Sequence, residues 1–314
     1  MNGIGKLALG TMGMNFSNKE SSIQTINAAM ENGINIFNTG DFYQRGESQV
    51  VLGEALKSFS RDDYFVSLKF GVTFSLTGAK LDVRPENIRP QLVNALKKMG
   101  LDYVDLYQPA RQDIAIAVED VMEELVKLKN EGLIKNIGLS EVDANTLKRA
   151  NKVHPIHSVE VEYSLLNREI EGELVPTAKE LGVQVVAYGA VGHGILTDKV
   201  ISGGLANPMM SRGILSPFNK KHNLQILNKF AQIAKDLGLT MSELALAWTQ
   251  AKYDNILSLI GTTKAEHFLS SLKAINTQLD ESTVSEIESL VCGENIKGVT
   301  MRKWVFENGV GKMM

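Results

Sequence analysis

Tyr43 closes the run GINIFNTGDFY (residues 33–43), and Lys69 stands one residue before the end of the run YFVSLKF. A phenol with a pKa near ~10 is a poor acid at neutral pH. A neighbouring ammonium stabilises the phenolate and lowers that pKa. Such a pair can give a proton to an oxygen that is gaining negative charge, as the oxygen of a carbonyl does during reduction. These residues admit a second reading as readily. Lys69 then pairs with a carboxylate of the core, and Tyr43 is an aromatic of a loop. Asn38 ends the apolar part of the first run, and it is neutral at a place where an acid would balance a buried ammonium.

The stretch IGTTKAEHF carries Gly261, Thr262, Thr263, Lys264 and His267. It closes an apolar run and opens a helix pattern. The free N–H groups and dipole of a helix start attract anions, and hydroxyls, an ammonium and an imidazole suit a phosphate. The same letters also fit an ordinary Thr N-cap. Five histidines are scattered; HPIH at 154–157 reads as a turn, because Pro155 prevents a continuous helix face. No strand-linked GxGxxG, Walker loop, HExxH or GxSxG occurs.

Residues of this kind need a scaffold that holds strand ends together. One phrase recurs along the chain: a helical stretch stops at Gly33, Gly100, Gly132 or Gly182, and an apolar strand follows. Gly suits the left-handed position just past a helix C-terminus. Apolar runs at 5–9, 34–38, 63–70, 103–107, 134–139, 156–163, 183–188 and 256–260 read as strands buried on both faces. Helix patterns fall at 20–32, 47–58, 86–99, 117–131, 143–152, 172–181, 241–252 and 264–274, with extra helices at 224–237 and 280–291. Pro85 and Pro90 fit the opening of one of them. Val118, Val121, Leu125 and Leu128 form the apolar stripe of another. Alternating βα units in this number predict an α/β (β/α)8 TIM barrel, whose active site lies at the C-terminal ends of the strands. The segment 189–223, with Gly203-Gly204, Pro208 and Pro217, reads as a long functional loop. With no linker in view, residues 1–314 are expected to form one barrel domain.

The bulk numbers are those of a globular protein. The chain has 314 residues, 44% hydrophobic and 22% charged, which is ample for a large core. A net charge of −3 without a basic patch argues against nucleic acid. The apolar runs are too short to span a bilayer, and the start has no signal-peptide shape. Cys292 is alone, so no internal disulfide and no Cys-based metal site is expected. A cytoplasmic protein follows from these readings, with its oligomeric state open.

GINIFNTGDFY, YFVSLKFG, YVDLYQPAR, IKNIGLSEV, VEYSLLNR, VVAYGAVGHGIL and IGTTKAEHF stand in the order found in the aldo-keto reductases, and the chain resembles that family over about residues 5–275. The resemblance implies a barrel that transfers a hydride from NADPH to small aldehydes or ketones. It implies that Tyr43 is the general acid and that Lys69 lowers its pKa. It places Tyr188 on the nicotinamide, Ser140 at the carboxamide and Gly189–Leu196 over the pyrophosphate. It also places Gly261, Thr262, Thr263, Lys264 and His267 at the adenosine 2′-phosphate. Four positions depart from the family pattern. Asn38 replaces a catalytic Asp, and Ala110, beside Arg111 in the substrate region, replaces a His. Glu141 and Glu160 replace an Asn and a Gln at the carboxamide. Asp41 and Glu160 are then the candidates to balance Lys69, and an Asn at 38 is expected to leave more of the Lys69 field on Tyr43. The departures also allow a rival reading, in which the chain is a weakened NADPH-binding protein acting as a sensor or regulatory subunit.

Overall fold

The computed structural model describes residues 5–75, 78–204, 213–292, 295–298 and 304–313. Eight parallel strands close into a barrel: β1 (Leu7–Gly10), β2 (Ile36–Gly40), β3 (Phe65–Phe70), β6 (Val104–Pro109), β7 (Ile134–Ser140), β8 (Ser158–Glu162), β9 (Gln184–Tyr188) and β10 (Ile256–Gly261). Each lies within about three residues of the corresponding apolar run. The order around the barrel follows the chain, and β10 pairs with β1 to shut it.

The glycine punctuation has a backbone cause. Gly33, Gly100, Gly132 and Gly182 all have positive φ, and a Cβ added at any of them would meet nothing within 4 Å. Conformation, not space, selects glycine there. The helix Pro85–Met99 starts with Pro at its first position and ends at Gly100, although Pro90 lies inside the helix rather than at its opening. The helix Met241–Lys252 opens on a capping box between Thr240 and Glu243. Val118, Val121, Leu125 and Leu128 are buried as the stripe requires.

Parallel register brings the strand ends to one level. Asn38 sits beside Ser67, Gly40 beside Lys69, Lys69 beside Gln108, Ser140 beside Glu160, and Glu162 beside Tyr188. Residues scattered over 150 positions of sequence thus share one rim.

Two hairpins were not foreseen. β4 (Val72–Ser75) and β5 (Gly78–Leu81) follow β3, and β11 (Trp304–Glu307) and β12 (Val310–Met313) form a second hairpin near the C-terminus. Together they make a four-stranded sheet in the order β11-β12-β5-β4, next to the end of β3. Strands of four residues carry too little periodicity to be read from sequence. The segment 189–223 is not wholly loop either. It holds a short helix at Asp198–Ile201, and a long helix begins at Lys220; Pro208 lies outside the described residues.

Asp113 pins the C-terminal hairpin. Its buried carboxylate accepts from the N–H of Ala115 at 3.0 Å, Asn308 at 3.0 Å and Gly309 at 2.6 Å. Ile114 adds a backbone bond to the carbonyl of Phe306 at 2.9 Å. Asp113→Ala strands these donors, each worth about 1–3 kcal/mol if left unsatisfied. The expected outcome is a lower melting temperature and faster proteolytic loss of residues after 304, measured by thermal denaturation and mass analysis of limited digests.

Candidate active site

The rim converges on a buried ammonium. Lys69 is 3% exposed, and its Nζ donates to Glu160 Oε1 at 2.9 Å and to Asn38 Oδ1. Glu160 is buried to the same degree. Its second oxygen accepts from Asn38 Nδ2 at 2.7 Å and from Gln108 Nε2 at 2.8 Å. Asn38 Nδ2 also reaches Ser67 Oγ at 3.3 Å. Four strands, β2, β3, β6 and β8, therefore contribute to one closed polar cluster.

Tyr43 stands above it. Lys69 Nζ lies 5.2 Å from the centroid of the half-buried Tyr43 ring. The loop that carries Tyr43 is contorted, with positive φ at Gln44 and Arg45. Burial disfavours the Lys69 ammonium, but the Glu160 carboxylate, the Tyr43 phenol and hydrogen bonds to both outweigh this and raise its pKa. For Tyr43, burial raises the pKa and wins over the charge and hydrogen bond of Lys69, while Glu160 pushes in the same direction as burial. The expectation that Asn38 leaves the phenol unusually acidic is thus corrected. Glu160 supplies the missing negative charge, and burial together with that charge favours the protonated phenol.

Of the two acids considered as counter-charges, Asp41 does not serve. Its N–H bonds the carbonyl of Lys69 at 2.9 Å, but its side chain faces the N–H groups of Gly71 and Phe42 and the charge of Lys98. Burial lifts its pKa to about 7 against those stabilising contacts, and Oδ1 has no partner.

The remaining candidates line the same mouth. Ala110 is buried, and Arg111 Nη1 donates to its carbonyl at 2.6 Å. The charges of Tyr188, Glu141, Glu160 and Tyr43 all act on Arg111, which places it among the candidate residues. Ser140 Oγ is buried without a partner. Glu141 has positive φ, and its Oε1 accepts from the N–H of Glu162 at 2.9 Å. It also hydrogen-bonds Tyr188, whose pKa is raised well above its ordinary value by burial first and by Glu141 second. Gly189 follows Tyr188 with positive φ. Lys264, Glu266 and His267 are exposed, with Glu266 Oε1 4.0 Å from Lys264 Nζ and 3.7 Å from His267 Nε2. The helix there begins after Lys264 with no side-chain cap, and Thr262 Oγ1 accepts from the Lys264 N–H at 3.2 Å. The segment is therefore not a simple Thr N-cap.

Sequence reasoning missed two features. Gln108 is one, although its place in register with Lys69 at the end of β6 would have marked it. It also depends on Gly138, because a Cβ there would lie 2.8 Å from Gln108 Oε1. The other is the contact of His193 Nε2 with Glu162 Oε1 at 3.2 Å, which ties the loop after β9 to β8. The hydrogen bond to Glu162 overcomes burial and raises the His193 pKa.

A family model described as "Aldo/keto reductase family" matches residues 6–291. The chain belongs to the aldo-keto reductase family, whose members are oxidoreductases acting on carbonyls. Among curated proteins it is 30% identical to the probable aldo-keto reductase 1 of Glycine max, over 97% of this chain and 92% of that one. Among solved structures it is similar to the glycerol dehydrogenase AKR11B4 from Gluconobacter oxydans, with a TM-score of 0.84 and 23% identity over 94% of each chain. It also matches an aldo/keto reductase from Klebsiella pneumoniae in complex with NADP and acetate, with a TM-score of 0.72 and 21% identity over 95% of each chain. Among the described residues, no helix is long and apolar enough to cross a membrane.

The Asp41 geometry generates a stability prediction. A carboxyl whose folded pKa is raised stabilises the fold below its unfolded pKa near 3.8, and that contribution is lost as pH rises through about 7. Asp41→Asn removes the charge and keeps the shape. It is expected to melt higher than the parent at pH 8, by a margin of a few kcal/mol at most, and to show no such gain near pH 4. Melting curves of both proteins across that range check the sign.

Proposed function

We propose that this protein reduces small aldehydes or ketones with NADPH, and that Tyr43 is the general acid. The observation that carries the reading is the Tyr43 phenol above the Lys69 ammonium at the C-terminal mouth of the barrel. NADPH, when bound, supplies the hydride. Buried Ser140 Oγ, which lacks a partner, fits a carboxamide, and the half-buried ring of Tyr188 fits a face of the nicotinamide. Gly189 lets the chain turn close to the pyrophosphate. Gly261, Thr262, Thr263, Lys264 and His267, exposed or partly so, suit the 2′-phosphate. The Klebsiella pneumoniae relative, solved with NADP, supports the same cofactor here.

In this reading Tyr43 holds its proton until the substrate oxygen gains charge, then gives it up as Lys69 steadies the phenolate. Lys69 is kept charged by the carboxylate beneath it. Ala110 leaves space at the substrate oxygen, and Arg111 offers a cation beside it. The whole chain acts as one cytoplasmic barrel domain. The rival reading, a sensor that binds NADPH without turnover, gains no support from an acid and an ammonium kept together in the site.

A screen of NADPH oxidation with aldehydes and ketones tests the proposal. Tyr43→Phe is expected to lose about 10²–10⁴ in rate, the usual contribution of a positioned acid, with NADPH affinity nearly intact. A variant that turns over at the parent rate, or a parent that binds NADPH without turnover, refutes the assignment. NADPH is expected to bind more tightly than NADH, because an ammonium and hydroxyls pair with the extra phosphate. Lys264→Ala should narrow that gap in a titration, and equal affinities in the parent refute the 2′-phosphate site.

A further inference from the structure

We infer that Glu160, reaching in from β8, is the positioning residue of the Tyr43–Lys69 pair, and that an amide at position 38 is the partner its charge requires. The inference rests on the reading of Tyr43 as the acid and goes beyond it by locating the negative charge on which the pair depends.

The argument is one of hydrogen-bond polarity. A buried ammonium without a counter-charge is among the costliest groups a fold can hold. Among the described residues, Lys69 has one carboxylate in contact, Glu160, at 2.9 Å. The amide of Asn38 spans the pair, with its oxygen accepting from Lys69 and its nitrogen donating to Glu160 at 2.7 Å. Each atom of Asn38 thus faces a group of opposite character. An Asp at 38 would set a second carboxylate oxygen 2.7 Å from Glu160 Oε2, with no proton between them. An acid at 160 and an acid at 38 are mutually exclusive in the ionised state.

The reverse arrangement fits the same cavity. With Asp at 38 and Gln at 160, the Gln oxygen accepts from Lys69 and its nitrogen donates to the Asp. Only Gln108 then faces the wrong way, since its Nε2 points at position 160 from 2.8 Å. A flip of that amide would let its oxygen accept from Gln at 160, at the cost of placing its nitrogen where Oε1 now lies buried without a hydrogen-bond partner among the described residues. The four-strand cluster therefore carries one negative charge that either β2 or β8 can supply.

The charged and titratable groups around the pair come from several elements. Glu160 lies on β8, Lys69 on β3, and Arg111 after β6 also acts on Tyr43. Glu141 and Tyr188 act through Arg111. Asp41 is turned toward Gly71 and Lys98. Of these, Glu160 is the group whose charge opposes ionisation of Tyr43. Neutralising it leaves the Lys69 field unopposed, so the phenol ionises earlier and reduction fails at a lower pH.

Four proteins form the test: the parent, Glu160→Gln, Asn38→Asp and the double exchange. Glu160→Gln is expected to move the basic limb of the kcat profile down by about 1–3 pH units. The double exchange is expected to bring the limb back to the parent position. A limb unmoved in Glu160→Gln overturns the inference, and so does a double variant whose shift is the sum of the two single shifts. Should Glu160→Gln fail to fold, recovery of folding in the double exchange is the expected coupling, and its failure contradicts it. Ultraviolet phenolate titration of each protein, with Tyr43→Phe in the same background subtracted, reads the same shift without turnover. A parent with no carbonyl reduction but a Tyr43 titration that follows Glu160 refutes the proposed function and leaves the positioning role standing.

Discussion

The mouth of this barrel is organised around one positive charge buried away from solvent. Lys69 lies 3% exposed at the end of a central strand. Asn38 and Glu160 accept from it, and Asn38 and Gln108 donate to its counter-ion. Glu160 supplies the charge, while Asn38, Gln108 and Ser67 fix the hydrogen-bond polarity. The tyrosine above inherits its chemistry from that balance. In the proposed function its phenol, held protonated by burial and by Glu160, lies close enough to the ammonium to part with the proton when a substrate oxygen needs it.

Such a cluster needs a scaffold that aligns the ends of four strands. Parallel register in a closed barrel does this through the backbone, so the site inherits its geometry from ladders buried on both sides. The rim hairpins add a second layer. They come from distant parts of the chain and pair directly, Val310 opposite Lys80, while one buried carboxylate, Asp113, ties the C-terminal hairpin to the segment after β6 and has no part in the proposed chemistry. The loop after β9 is tied down in a similar way through His193 and Glu162. Buried or half-buried carboxylates thus serve three different purposes around one mouth.

Much of this was legible in the letters. The helix–Gly–strand phrase gave the barrel, because a left-handed backbone at Gly33 and its equivalents is a local requirement that sequence expresses directly. The strand ends gave Tyr43 and Lys69. What was not legible was pairing across the barrel. Asn38 and Glu160 lie 122 positions apart, and nothing local records that their side chains meet. Read separately, each was a departure from a family pattern; in contact, they form one exchange. Lys69 pairs with a core carboxylate and also lies beneath the tyrosine, a combination that neither run of letters records. The hairpins escaped notice because strands of four residues leave almost no periodic trace.

The central claim is that Glu160 keeps Lys69 charged throughout the working range. It is tested most directly by following the ε-carbon and ammonium resonances of Lys69 by NMR as pH is raised. The account predicts that Lys69 in the parent remains an ammonium up to and beyond its ordinary pKa of 10.5, and that Glu160→Gln lets it lose its proton earlier. A Lys69 that is already neutral near pH 8 in the parent, or whose titration ignores position 160, would contradict it.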